Sequence, residues 1–266
     1  MSFIVIDKSW LRGEKSENII SLASNNRFIV PAALGYELFT EKDEVVSTSC
    51  FKKLITIQDK IDFIERVGIL VKYEIENQKS CTPIEKQFLS SEFKLNPILA
   101  KSRFPFNEEH KESIEYFRDF WELSGVQRYK TFSSNVANWI PELQKFRNGC
   151  SKEKVKPFLI KVSNDIEFVK QIYDKYRENE SLSLPPVVLI NEDWAVFRYL
   201  QIHLLIGIEY IRKYGSNNME VISKKFANDN LDIEYCITST LSKALATRDK
   251  GLKNLFELCC KDGKLF

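Results

Sequence analysis

Phe3-Ile4-Val5-Ile6-Asp7-Lys8-Ser9 is the stretch on which the fold turns. Its four consecutive apolar residues leave no polar face for water, the form of a strand covered on both sides, as in a parallel sheet. Working outward, residues from about Ser9 to Asn25 read as a helix carrying Trp10, Ile19, Ile20 and Leu22, with Asn25-Asn26 as its stop. A second apolar run, Phe28-Ile29-Val30, is followed by Pro31, which suits the first position of a helix. That helix carries Ala32-Ala33-Leu34-Gly35-Tyr36-Glu37-Leu38-Phe39. Strand, helix, strand, helix with short joints predicts a parallel α/β sheet.

The C-terminal end repeats this grammar. Asn228-Asp229-Asn230 offers capping residues for a helix over Leu231 to Leu241. Ala244-Leu245-Ala246-Thr247 then reads as a short buried strand, and Lys250 to Cys260 as a last helix. Between the two ends the pattern changes. Ile57, Ile61, Ile64, Gly68, Val71 and Ile75 recur at helical spacing, as do Ile114, Phe117 and Trp121, and later Ile166, Val169, Tyr173 and Tyr176. Prolines punctuate this middle, among them Pro83, Pro97, Pro141 and Pro157. Asp193 to Tyr214 is apolar around most of its surface, which predicts a helix at the centre of the molecule.

Four acids stand at strand ends and helix starts of the predicted sheet. Asp7 directly follows the first strand, and parallel sheets present functional groups at the carboxyl ends of their strands. Glu37 sits in an otherwise apolar helix, where a charge is costly unless paired or bound to a cation. Asp232 falls in the first turn of its predicted helix, and Asp249 follows the last strand. Two carboxylates 4 Å apart repel by about 4 kcal/mol at an effective dielectric of 20. Four together therefore call for cations, and oxygen-only ligands favour Mg²⁺ or Mn²⁺. Two such ions can activate a water and stabilise the leaving oxygen of a phosphodiester. An aspartate after a strand also serves simply as a helix cap, a reading that fits Asp229 and Asp232 as well, and Glu37 could pair with a lysine.

The opening Phe3 to Ser9, the run Ile29-Val30-Pro31-Ala32-Ala33-Leu34-Gly35-Tyr36-Glu37, and the closing Asp232-Ile233-Glu234-Tyr235-Cys236 with Leu245-Ala246-Thr247-Arg248-Asp249 resemble the PIN domain. That family consists mainly of metal-dependent ribonucleases. The resemblance implies an α/β fold, a PIN-like parallel sheet flanked by helices, with a mostly α-helical insertion. It divides the chain into a discontinuous nuclease domain, 1–47 and 185–266, and an insertion, 48–184. Asp7, Glu37, Asp232 and Asp249 would be both metal ligands and catalytic residues, holding one or two Mg²⁺ or Mn²⁺ ions that activate a water for in-line attack. Ser9 and Thr247 would orient ligands or waters, with Asp229 as a supporting or alternative ligand. The implied substrate is RNA, single-stranded or structured, although relatives of this fold also cut DNA. The insertion, far larger than a minimal PIN domain carries, would serve a regulatory protein partner. Together with the family's frequent toxin roles, it suggests a toxin or phage-defence setting. A catalytically silent PIN-like scaffold is the rival reading.

The bulk numbers frame these expectations. Among 266 residues, 39 Lys and Arg face 37 Asp and Glu, a net charge of +2, so no partner is implied by overall charge. Local clusters must carry that argument. Arg248, Lys250 and Lys253 lie near Asp249 and could meet phosphates. In the middle region Arg103-Phe104-Pro105-Phe106, Arg128-Tyr129-Lys130 and Lys145-Phe146-Arg147 interleave bases with aromatics that could stack on unpaired bases. The six cysteines form no Cys-x-x-Cys pair and read as small buried hydrophobes in a reducing cytoplasm. The initial apolar run is too short for a signal-peptide core, and no stretch reaches the length of a membrane span. His110 and His203 have no zinc-ligand pattern around them. Homo-oligomerisation stays open.

Overall fold

Ile4, Val5 and Ile6 are fully excluded from solvent, because β1 (Phe3–Ile6) is the central strand of a sheet and has a parallel neighbour on each side. Val5 lies opposite Ile29 of β2 (Arg27–Pro31) and opposite Leu245 of β4 (Ala244–Ala246). The edges are β3 (Ile61–Ile64) and β5 (Lys264–Leu265), giving the order β3-β2-β1-β4-β5 with every pairing parallel. The computed structural model describes residues 2–90, 94–103, 105–123, 135–179, 183–216 and 226–266. The protein is α/β: a PIN-like five-stranded parallel sheet flanked by helices, joined to a mostly helical region.

Short helices cover the sheet. The stretch read as one helix after β1 is two, α1 (Lys8–Gly13) and α2 (Ser16–Ala23), because the chain turns extended at Glu14 and Lys15. Trp10 and Leu11 of α1 and Ile19 of α2 are buried. Pro31 ends β2 and stands immediately before α3 (Ala32–Thr40), whose Ala33, Leu34 and Leu38 enter the core. Each such aliphatic side chain stabilises the fold by about 1.5–3 kcal/mol on burial. α4 (Glu44–Thr56) follows, capped by Asp43, which accepts from the N–H groups of Val45 and Val46.

The chain divides into two compact units. The sheet unit comprises residues 1–67, 83–118 and 234–266; the helical unit comprises 68–82 and 119–233. This division differs from the predicted insertion over 48–184. The spacing of Ile57, Ile61 and Ile64 predicted helix, yet Ile61–Ile64 is the strand β3, paired residue for residue with Phe28–Pro31. Its one charge, Asp62, is only 2% exposed and receives a two-pronged contact from Arg27 of β2, at 2.5 and 2.7 Å. A polar residue that looks like the outer face of a helix is thus satisfied inside the sheet by a partner distant in sequence.

In the helical unit the Ala195–Tyr214 helix is buried along most of its length, as its composition predicts. The Lys152–Asn164 and Ile166–Asn179 helices pack against it, contributing Val155, Val162, Val169 and Tyr173 to the core. Pro157 does not break its helix; it falls near the start, and Glu153, whose carbonyl loses its partner, is exposed. His203 is a satisfied core residue, its Nδ1 at 2.7 Å from the Tyr199 carbonyl. The cysteines are all free, and five of the six are buried. Among the described residues no helix is long and apolar enough to cross a membrane.

Candidate functional site

β1 and β4 are parallel neighbours, so the residues that leave them emerge side by side at the carboxyl edge of the sheet. The chain also changes direction here: β2 and β3 lie to one side of β1, β4 and β5 to the other, and ligands of open α/β sheets bind at such a point. Asp7 stands at that edge, buried, its N–H bonded to the Ala246 carbonyl at 3.2 Å. Its Oδ1 accepts from the Trp10 N–H at 2.8 Å, which caps α1. Its Oδ2 accepts from the Thr247 hydroxyl at 2.7 Å, and the Ser9 hydroxyl lies within 3.0 Å of both oxygens.

These hydroxyls tie two loops together. Ser9 Oγ accepts from the Arg248 N–H at 2.8 Å, and Thr247 Oγ1 accepts from the Asp249 N–H at 3.0 Å. The predicted supporting roles of Ser9 and Thr247 correspond to real contacts with Asp7. Asp249 is exposed, and its Oδ1 accepts from the Leu252 N–H at 2.8 Å, capping the Lys250–Cys259 helix. Burial pushes the Asp7 carboxyl above the usual carboxylate range; the hydrogen bonds from Thr247, Trp10 and Ser9 oppose that, and the Asp249 carboxylate adds to it.

Glu37 projects from α3 and is half-buried, accepting from the Tyr235 hydroxyl at 2.6 Å. Burial raises its carboxyl too; Tyr235 and Lys8 pull it down, while Asp7 and Glu41 push it up. Lys8 itself is committed to Glu41 at 2.6 Å, a contact that holds the Glu41 carboxyl below the usual range. The edge of the sheet therefore gathers Asp7, Glu37 and Asp249 within one electrostatic neighbourhood, with the nearest lysine turned toward a fourth acid.

The remaining predicted residues fall elsewhere. The helix expected to begin at Leu231 begins at Phe226, so Asp229 and Asp232 are not its caps; Asp232 sits in the second turn. Both belong to the part of that helix that clusters with the helical unit, and Asp229 accepts from the Tyr210 hydroxyl. Arg248 is paired with Glu14 at 2.8 Å, so its guanidinium is already engaged. Lys250 and Lys253 are exposed. Phe106 packs edge-on against Phe39, and Arg103 donates to the carbonyls of Glu41 and Lys42 at 2.7 and 2.8 Å. Phe146 is buried. These aromatics are structural, and Phe104, Arg128, Tyr129 and Lys130 lie outside the described residues.

Among the described residues no three His, Cys, Asp or Glu side chains are placed to share a metal ion. The donors at the sheet edge are nonetheless hard oxygens under mutual repulsion. Mg²⁺ binds through one or two carboxylates and keeps several waters, which this edge suits better than a closed cage would. Two residues went unnoticed in the sequence. Tyr235 is buried among apolar neighbours and so needs a partner for its hydroxyl, a signal that was available. Glu74 lies three residues after Val71 on an apolar helical face, the same signal that marked Glu37. Compared with protein-family models, with curated proteins and with solved structures, the chain matches none.

Proposed function

We propose that this chain is a metal-dependent nuclease of PIN-like type, hydrolysing phosphodiester bonds of single-stranded or structured RNA. The observation that supports it most is the buried Asp7 at the switch point of the sheet, with both oxygens fixed and with Glu37 and Asp249 adding negative charge around it. That surplus of negative charge suits a divalent cation. A bound Mg²⁺ or Mn²⁺ would supply positive charge for a phosphate oxygen and an acidified water. Asp7, Glu37 and Asp249 would hold it. Ser9 and Thr247 keep Asp7 in one orientation, so no reorganisation is needed when a ligand arrives. The exposed Lys250 and Lys253 can meet the phosphate backbone on either side.

A second reading, a PIN-like scaffold that does not cut, is favoured by one specific observation. Asp7 and Asp249 both cap helices, which explains their positions without chemistry. The two readings separate on a single substitution. Asparagine caps a helix about as well as aspartate, so Asp249→Asn keeps the local structure and removes only the charge. Purified protein with Mn²⁺ is expected to cleave a labelled single-stranded RNA, and Asp249→Asn to cleave it about 100-fold more slowly. Equal cleavage by both proteins would place the activity elsewhere. No cleavage by either, with no binding of Mn²⁺, would leave the scaffold. A labelled DNA strand run beside the RNA decides the nucleic acid.

A further inference from the structure

The Tyr235 ring is 2% exposed, and its hydroxyl donates to Oε2 of Glu37 at 2.6 Å, across 198 residues of sequence. The phenol of an ordinary tyrosine keeps its proton to about pH 10, so at neutral pH this oxygen is a fixed donor. Among the described residues, Glu37 Oε1 accepts no hydrogen bond. One oxygen of the carboxylate is therefore taken and the other is left. Without the phenol, the terminal torsion of a glutamate is broad, and the carboxylate could turn to present both oxygens.

We infer that Tyr235 is a positioning residue that restricts Glu37 to one-oxygen ligation and thereby favours small octahedral cations over Ca²⁺. This rests on the metal-binding reading of the site given above. Mg²⁺ requires near-ideal octahedral geometry and is served by single carboxylate oxygens and water. Ca²⁺ accepts six to eight oxygens and readily takes a carboxylate through both. A donor that occupies Oε2 excludes the second mode and leaves the first intact. The neighbouring Lys8 does not do this work, because its ammonium is held by Glu41 at 2.6 Å.

The experiment is titration calorimetry of the full chain with MnCl₂ and separately with CaCl₂, for wild type and Tyr235→Phe. The substitution removes one oxygen and keeps the ring in its place. The expected result is a preference for Mn²⁺ over Ca²⁺ in the wild type that falls by about tenfold in the variant, the scale of effect usual for a group that orients a ligand. A purely structural tyrosine would weaken both metals in the same proportion, leaving the ratio unmoved, and that outcome overturns the inference. Should Tyr235→Phe not fold, Glu37→Asp carries the same test, since the shorter side chain withdraws the carboxylate from the phenol while leaving Tyr235 intact. If the wild type binds neither metal, the metal-binding reading falls and this inference with it. If it binds Mn²⁺ in preference and the variants keep the preference, only the inference falls.

Discussion

Asp7 in the sheet unit and Glu74 in the helical unit are both buried carboxylates, and they are accommodated in opposite ways. Glu74 is fully excluded from solvent, and its oxygens accept from the N–H groups of Ala195 and Val196 at 2.7 and 2.9 Å. Those are the first two residues of the Ala195–Tyr214 helix, whose Trp194 offers no side-chain cap. The acid thus answers the unpaired donors and the positive end of a long helix, and the Cys81 N–H adds a third contact at 3.4 Å. Asp7 also caps a helix, but a short one, and the groups around it include two further acids. The comparison teaches that burial alone does not mark a site. A buried acid whose contacts compensate its charge is structural, and one set among other acids is a place where a cation would be welcome.

The largest expected effect concerns Glu74. Burial pushes its carboxyl up to about 7 from an ordinary 4.5, and the hydrogen bonds from Val196, Ala195 and Cys81 oppose that only in part. Between those two values the folded protein holds a proton that the unfolded chain has released. Stability contributed by this group is therefore present below about pH 4.5 and is lost as pH rises toward about 7. The difference amounts to about 3 kcal/mol across the window. Glu74→Gln should flatten that slope while keeping an acceptor for the helix start. Urea unfolding of both proteins from pH 4 to 8 measures it, and an unchanged slope would show that Glu74 is not the group responsible.

A smaller change of the opposite sign is expected at the sheet edge. Asp7→Asn keeps the cap on α1 but removes a negative charge from the neighbourhood of Glu37 and Asp249. Without metal, its melting temperature should rise by about 2–4 °C. The rise that Mn²⁺ produces in the wild type should shrink in the variant. Thermal melts with and without Mn²⁺ test both, and equal metal stabilisation of the two proteins would remove Asp7 from the site. Smallest of all is Arg248→Ala. Its ion pair with Glu14 is half-exposed and screened by solvent, so stability should change by less than about 1 kcal/mol. The loop should hold its place, because the Arg248 N–H still bonds Ser9. A large loss on unfolding by urea would make the guanidinium, rather than the backbone, the latch between the two loops.

The same contrast explains how much could be read in advance. Three strands announce themselves as apolar runs, Phe3 to Ile6, Phe28 to Val30 and Ala244 to Ala246, because strands inside a parallel sheet are buried on both faces. From their order alone, Asp7 and Thr247 could be expected at one edge, and their hydroxyl–carboxylate contact is there. β3 was hidden because Ile61 and Ile64 fit helical as well as extended spacing, and Asp62 broke the apolar run. β5 is only two residues long, too short for any pattern.

What the sequence determined by itself was local: which runs must be buried, where a proline or capping residue turns the chain, and which acids stand beside apolar faces. These follow from side-chain chemistry and spacing within a few residues. What only the tertiary structure decided was compensation. Arg27 reaches Asp62, Tyr235 reaches Glu37, and the start of the Ala195–Tyr214 helix reaches Glu74, each across a gap that no local pattern encodes. The free energy of a buried charge depends on the groups within a few ångströms of it, and the chain brings those groups together only when it folds.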